Sequence, residues 1–151
     1  MNRYRHSFAF TLVETLVVIG IIVLVSSISL ISIASLSRRE ALSANSAALV
    51  TRLRDARART LASVGGMQHG VAIATTSVTF FRGSTYDPAS TTNDVFTLSG
   101  YVNASTTLGV VVFERITGNA SASGTIEMFL VADPSKKKLI TVQTSGLVNV
   151  Q

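Results

Sequence analysis

Hydrophobic positions follow one another along this chain in three regimes. From Phe10 to Ser37 they are nearly continuous. The 23 positions between Glu14 and Arg38 carry no charge. A helix of that length covers about 35 Å, enough for the roughly 30 Å hydrocarbon layer of a bilayer. Ser26, Ser27, Ser29, Ser32 and Ser35 soften its far half. A hydroxyl in an apolar helix can bond its own backbone or a neighbouring helix. From Ser37 to Ser63 the pattern becomes periodic. At 100° per residue Leu42, Leu49, Leu53 and Ala56 fall within about 60° of one another, a narrow apolar stripe. Arg52 and Arg57 flank that stripe, and Arg54 and Arg59 lie farther round. No proline interrupts residues 10–63, and Gly65 with Gly66 supplies a stop. The pattern predicts one helix from about residue 11 to 63.

Beyond Gly70 the rhythm changes to short β-branched and aromatic runs between turn residues. Candidate strands are 70–75, 77–82, 94–99, 108–114, 124–132, 138–144 and 147–150. The loops between them include "GSTYDPASTTN", "TGNASASG" and "DPSKKK", which hold both prolines, Pro88 and Pro134. Seven short strands in antiparallel rhythm indicate a small sheet or sandwich. The expected class is α+β: a long N-terminal α-helix, half of it membrane-like and half amphipathic, packed on a small antiparallel β-sheet or sandwich.

Composition sharpens this in few places. The 151 residues allow one modest domain and an appendage, and the 47% hydrophobic content is concentrated in the first third. Cysteine is absent, which excludes disulfides and thiolate metal sites. Net charge is +5, falling to +3 without Arg3 and Arg5, too mild to indicate nucleic-acid binding by itself. Beyond the first nine residues His69 is the sole histidine, and it reads as a loop or strand-edge residue. No phosphate loop, nucleophile elbow, paired-carboxylate motif or metal-ligand cluster is evident, so the chain reads as non-enzymatic, with no metal or cofactor implied. Arg52, Arg54, Arg57 and Arg59, with Lys136, Lys137 and Lys138, are the candidates for a surface that meets DNA phosphates. The plainer alternative is a solvated helix face and a charged turn. "NAS" at Asn103 and Asn119 matches a glycosylation sequon, a cheap match in so Ser/Ala-rich a chain.

Glu14 is the anomaly, a carboxylate inside the leading edge of an apolar helix. A secretory signal peptide has a basic start, as "MNRYRHSFA" does, but its apolar core is shorter than this one. A plain membrane anchor explains the length but not Glu14, because insertion of an acid costs about 2.5–3.5 kcal/mol near mid-helix. In a third reading the chain is cut between Ala9 and Phe10. The new α-amino group on Phe10 then lies one turn from Glu14, and a first-turn carboxylate also suits the helix dipole. In staggered helices the Glu14 carboxylate of one subunit can meet the amino group of the next. Within an apolar bundle that pair is favourable relative to either charge alone.

"FTLVETLVVIGIIVLV" resembles the class III signal of type IV pilins and type II secretion pseudopilins. The resemblance implies cleavage before Phe10 by a prepilin peptidase, methylation of the new amine on Phe10, and use of Glu14 in assembly. One position departs: the family's residue before the cut is usually Gly, and here it is Ala9. The implied divisions are a leader at 1–9, a transmembrane and filament-core helix at 10–37, an amphipathic continuation at 38–64 and a β-rich globular domain at 65–151. "LVTRLRDARARTLAS" followed by strands, with "GTIEMFLVADPSKKKLITVQTSGLVNV" at the end, is similar to H-type minor pseudopilins and related minor pilins. In some relatives a basic final strand helps to capture DNA, a feature that Gly146-Leu147-Val148-Asn149-Val150 lacks. The implied partners are the peptidase, other pilin subunits and the inner membrane before assembly. The globular domain is then outside the cytoplasm and later in a pilus or pseudopilus. Two rival roles are a DNA-binding minor pilin for uptake and an anchored periplasmic domain unrelated to filaments.

Overall fold

The computed structural model describes residues 11–151, with the backbone alone for residues 28–34. The leader and the cleavage and methylation positions Ala9 and Phe10 therefore lie outside the described residues. The chain divides into two units, Met1–Ser37 and Arg38–Gln151. A single helix, α1 (Leu12–Leu61), contributes to both.

In the first unit α1 starts on Thr11, whose hydroxyl accepts the Glu14 backbone N–H at 3.3 Å. Thr11 is thus the N-cap, satisfying one of the donors that a helix start leaves open. The Ser27 hydroxyl returns to the Leu24 carbonyl at 2.8 Å, removing its own polarity from the surface. Leu12, Val13, Leu16, Val17, Ile21 and Val25 are all exposed, so apolar side chains point to every side of this half-helix. Among the described residues no helix is long and apolar enough to cross a membrane.

In the second unit the apolar stripe is covered. Leu42, Leu49, Val50, Leu53 and Ala56 are buried. Helix α1 ends where Ser63 turns left-handed (φ 51°), and a short 3-10 turn, Val64–Gly66, follows with Gly65 and Gly66 also at positive φ. Eight strands come next: β1 (His69–Ile73), β2 (Ser77–Arg82), β3 (Asp94–Thr97), β4 (Val102–Thr106), β5 (Val110–Val112), β6 (Gly124–Leu130), β7 (Asp133–Val142) and β8 (Val148–Val150). They form two antiparallel four-stranded sheets, ordered β3-β2-β1-β5 and β4-β6-β7-β8. After β3 the chain alternates between the sheets at each step until β6. One core contains the α1 stripe, Val71, Val78 and Val111 from the first sheet, and Ile126, Met128, Ile140 and Val142 from the second.

Strand β1 is buried on both faces. Val71 and Ile73 join the main core, whereas Ala72 packs with Phe81 and Val112 under Tyr86 on the far side. Gly70 is required there: a Cβ would lie 2.5 Å from the Phe81 ring and 2.7 Å from the Val111 carbonyl.

Two elements differ most from the sequence expectation, and β5 is also shorter than its expected 108–114. Strand β4 is absent from that expectation, because in "VNAST" the β-formers Val102 and Thr106 are separated by Asn, Ala and Ser. Its alternation is nonetheless present: Val102 and Ala104 are buried and pair opposite Leu130 and Met128. Strand β7 starts at Asp133 rather than residue 138, so "DPSKKK" is strand and not loop. Leu130 pairs with Asp133 but Phe129 pairs with Lys137, which leaves residues 134–136 bulged. Pro134 is tolerated in that bulge because no partner needs its missing N–H.

Candidate functional site

Two groups of residues carry the functional expectations. The first is the helix start. Thr11 and Glu14 are spaced as a capping pair, and the Thr11 carbonyl also accepts the Thr15 hydroxyl at 2.9 Å. Glu14 lies in the first helical turn, where the dipole favours a carboxylate by about 0.3–1 kcal/mol. Its side chain is exposed, and among the described residues no basic group pairs with it.

The second group is the set of seven basic residues, which the fold divides. Arg52 and Arg59 face the first sheet. Arg52 Nη1 meets Asp94 Oδ2 at 2.7 Å, with its guanidinium 5.1 Å over the Phe96 ring. Arg59 Nε meets Asp55 Oδ2 at 2.9 Å, and its guanidinium lies 5.4 Å over Phe80. Between them opens a cleft of about 150 Å³ lined by Arg52, Asp55, Arg59, Phe80, Arg82 and Asp94. Arg54 and Arg57 face the other way. Arg54 Nη2 donates to the Val148 carbonyl at 3.3 Å. Arg57 donates to the Gly118 carbonyl at 3.1 Å and the Ser145 carbonyl at 3.3 Å, clamping two loops to the helix. Gly146 sits beneath this clamp, where a Cβ would strike the Gly118 carbonyl and the Arg57 side chain. Lys137 pairs with Glu127 at 3.2 Å, and Lys138 Nζ donates to Ser43 Oγ at 3.1 Å. Lys136 lies near Asp133, whose carboxyl is held below its ordinary value, chiefly by the Ser135 hydroxyl and further by Lys136 and Arg39.

His69 opens β1 and is 1% exposed. Its backbone N–H donates to Thr60 Oγ1 at 2.9 Å, its ring packs 5.6 Å from Phe80, and its Nδ1 has no partner. Burial lowers its pKa, and the nearby Arg59 and Arg82 guanidiniums lower it further, against a smaller opposing effect of Asp55. Among the described residues no three His, Asp or Glu side chains gather as metal ligands.

No family model matches the chain, and no curated protein matches it in sequence. Its structure is similar to the type IV minor pilin FimU of Pseudomonas aeruginosa PAO1, with TM-score 0.60 and 10% identity over 75% of this chain and 90% of that one. It is also similar to EpsH, a minor pseudopilin from the Type 2 Secretion System of Vibrio cholerae, with TM-score 0.55 and 18% identity over 73% of this chain and 95% of that one. The chain has the pilin fold.

Within the second unit of this pilin fold the seven sequence-predicted basic residues do not gather in one cluster. Glu14 belongs to the first unit; in the second, Arg52 and Arg59 lie on one flank of α1 and Arg54, Arg57 and Lys138 on the other. Sequence reasoning missed two features. Thr11 as N-cap was legible from the Thr11-x-x-Glu14 spacing. The clamp by Arg57 was not, because its acceptors are backbone carbonyls 61 and 88 residues away.

Proposed function

We propose that the chain is a structural minor pilin or pseudopilin subunit of a type IV pilus or a type II secretion filament. The observation that carries this reading is the exposed Glu14 carboxylate, one turn into an apolar helix, on a chain with the pilin fold. In this reading the subunit waits in the inner membrane through residues 10–37, with its β-rich domain outside the cytoplasm. A prepilin peptidase cuts between Ala9 and Phe10, and the amine of Phe10 is methylated. Glu14 then meets that amine in the adjoining subunit and sets the axial register of the packed helices, as other pilin or pseudopilin subunits add around it. The uncharged run from Thr15 to Ser37 supports both the membrane and the fibre state.

Glu14→Ala is expected to leave insertion and cleavage intact while incorporation into filaments drops at least tenfold, as measured by immunoblot of sheared filaments against total cell protein. Normal incorporation would overturn the role of Glu14. Mass spectrometry of the mature N-terminus should find methylated Phe10, and an intact Met1 would sink the processing step. A DNA-capturing role is less well supported, because Arg52 and Arg59 are already paired with the carboxylates of Asp94 and Asp55.

A further inference from the structure

Strand β8 ends its sheet. It pairs with β7 through Ile140–Val150, Thr141–Asn149 and Val142–Val148. The Gln143 N–H donates to the Leu147 carbonyl at 2.9 Å, and Leu139 and Gln151 exchange bonds of 2.9 and 3.1 Å. Antiparallel ladders alternate, so Leu147, Asn149 and Gln151 turn their backbone groups toward β7, and Val148 and Val150 turn theirs outward. Of these outward groups the Val148 carbonyl is taken by Arg54. Among the described residues the Val148 N–H and both groups of Val150 have no protein partner.

Two furrows run between this edge and α1, meeting at Arg54. One, of about 270 Å³, is lined by Ser46, Ala47, Val50, Arg54, Lys138 and Val150. The other, of about 390 Å³, is lined by Arg54, Arg57, Ala58, Leu61, Leu147 and Val148. Neither is lined by a carboxylate. The surface thus combines unpaired strand donors, an apolar floor and three cations on the rim.

We propose that this edge takes up an extended acidic segment of a partner polypeptide as an added strand. Backbone bonds to Val148 and Val150 supply affinity, as in other strand-addition complexes. Alternate side chains of the segment face α1. Their methylene stems lie on Ala47, Val50 and Ala58, and their carboxylates reach Arg54, Arg57 and Lys138. A second copy of this chain is disfavoured, since edge-to-edge pairing sets like charges against each other. A nucleic acid would use the cations but not the strand donors or the apolar floor. The inference rests on the second unit and does not need the filament reading.

The test uses the full chain in detergent micelles and a dye-labelled peptide of about six residues alternating threonine and glutamate, long enough to run beside β8. The peptide should bind and lose affinity as salt is raised. At saturation it should slow hydrogen exchange of the Val148 and Val150 amides roughly tenfold or more. Arg54→Ala combined with Lys138→Ala should weaken binding about tenfold. Val150→Pro removes a donor that the fold does not use, so it should abolish binding with an unchanged melting temperature. The same peptide N-methylated at alternate residues along its pairing edge should not bind. Absence of binding overturns the proposal, as does binding that leaves the two amides unprotected or that survives peptide N-methylation. Preferential binding of a single-stranded oligonucleotide of equal charge would make the surface a phosphate site and equally overturn it.

Discussion

The fold holds His69 and Ile116 against their own preferences. The His69 ring is buried with Nδ1 unsatisfied and two guanidiniums nearby, so its neutral form is favoured in the folded state. The unfolded chain then takes up a proton that the folded chain resists. Stability contributed by neutral His69 is complete above its ordinary pKa of 6.5 and is lost as pH falls from there through the lowered folded value. Urea denaturation of the full chain in micelles between pH 7.5 and 5 should show this loss, and His69→Phe should flatten the profile. Asp133 is also lowered, but its window lies below the ordinary 3.8 and does not overlap. Ile116 is β-branched, adopts φ 76° and is 91% exposed. A left-handed conformation is strained for such a residue by about 1–2 kcal/mol. Ile116→Asn should therefore raise stability by about 1 kcal/mol, read as a shift of the urea midpoint at unchanged slope.

At the scale of elements, the segments that periodicity located are those where local pattern and burial agree. Strand β2 matches its expected bounds because "SVTFFR" places β-branched and aromatic residues between turns. The α1 stripe was legible because Leu42, Leu49, Leu53 and Ala56 share one face, and all four are buried. Leu53→Ala should cost about 2–5 kcal/mol, measured by urea unfolding, since the cavity would open between the helix and both sheets. Strand β4 and the start of β7 were less legible, because polar residues become strand only when β6 offers a paired edge. Gly70 was equally silent, since its constraint is the Phe81 ring and a carbonyl of β5. Gly70→Ala should lower the melting temperature. Adding Phe81→Leu should recover only part of the loss, because the Val111 carbonyl remains in the way.

For the whole molecule, the question is whether Glu14 acts through its charge or through the helix cap. The cap uses the Glu14 backbone N–H and the Thr11 hydroxyl, and neither depends on the carboxylate. Glu14→Gln keeps side-chain length and removes the charge. In the filament reading it should impair incorporation as strongly as Glu14→Ala, while urea unfolding of the second unit stays within about 0.5 kcal/mol of the parent. Incorporation restored by Gln would mean that hydrogen bonding, not charge, carries the function.

By itself the sequence determined the helix, its two chemical halves, the β-rich remainder and the singular position of Glu14. Each of these is a matter of spacing along the chain, and backbone periodicity turns spacing directly into faces. Only the tertiary structure decided that β5 returns to β1 while β4 joins β6, and that Arg57 closes on the carbonyls of Gly118 and Ser145. Those outcomes depend on which strand edges and carbonyls meet across long sequence separations. Such meetings are fixed by packing one shared core against both sheets, and no local pattern encodes them.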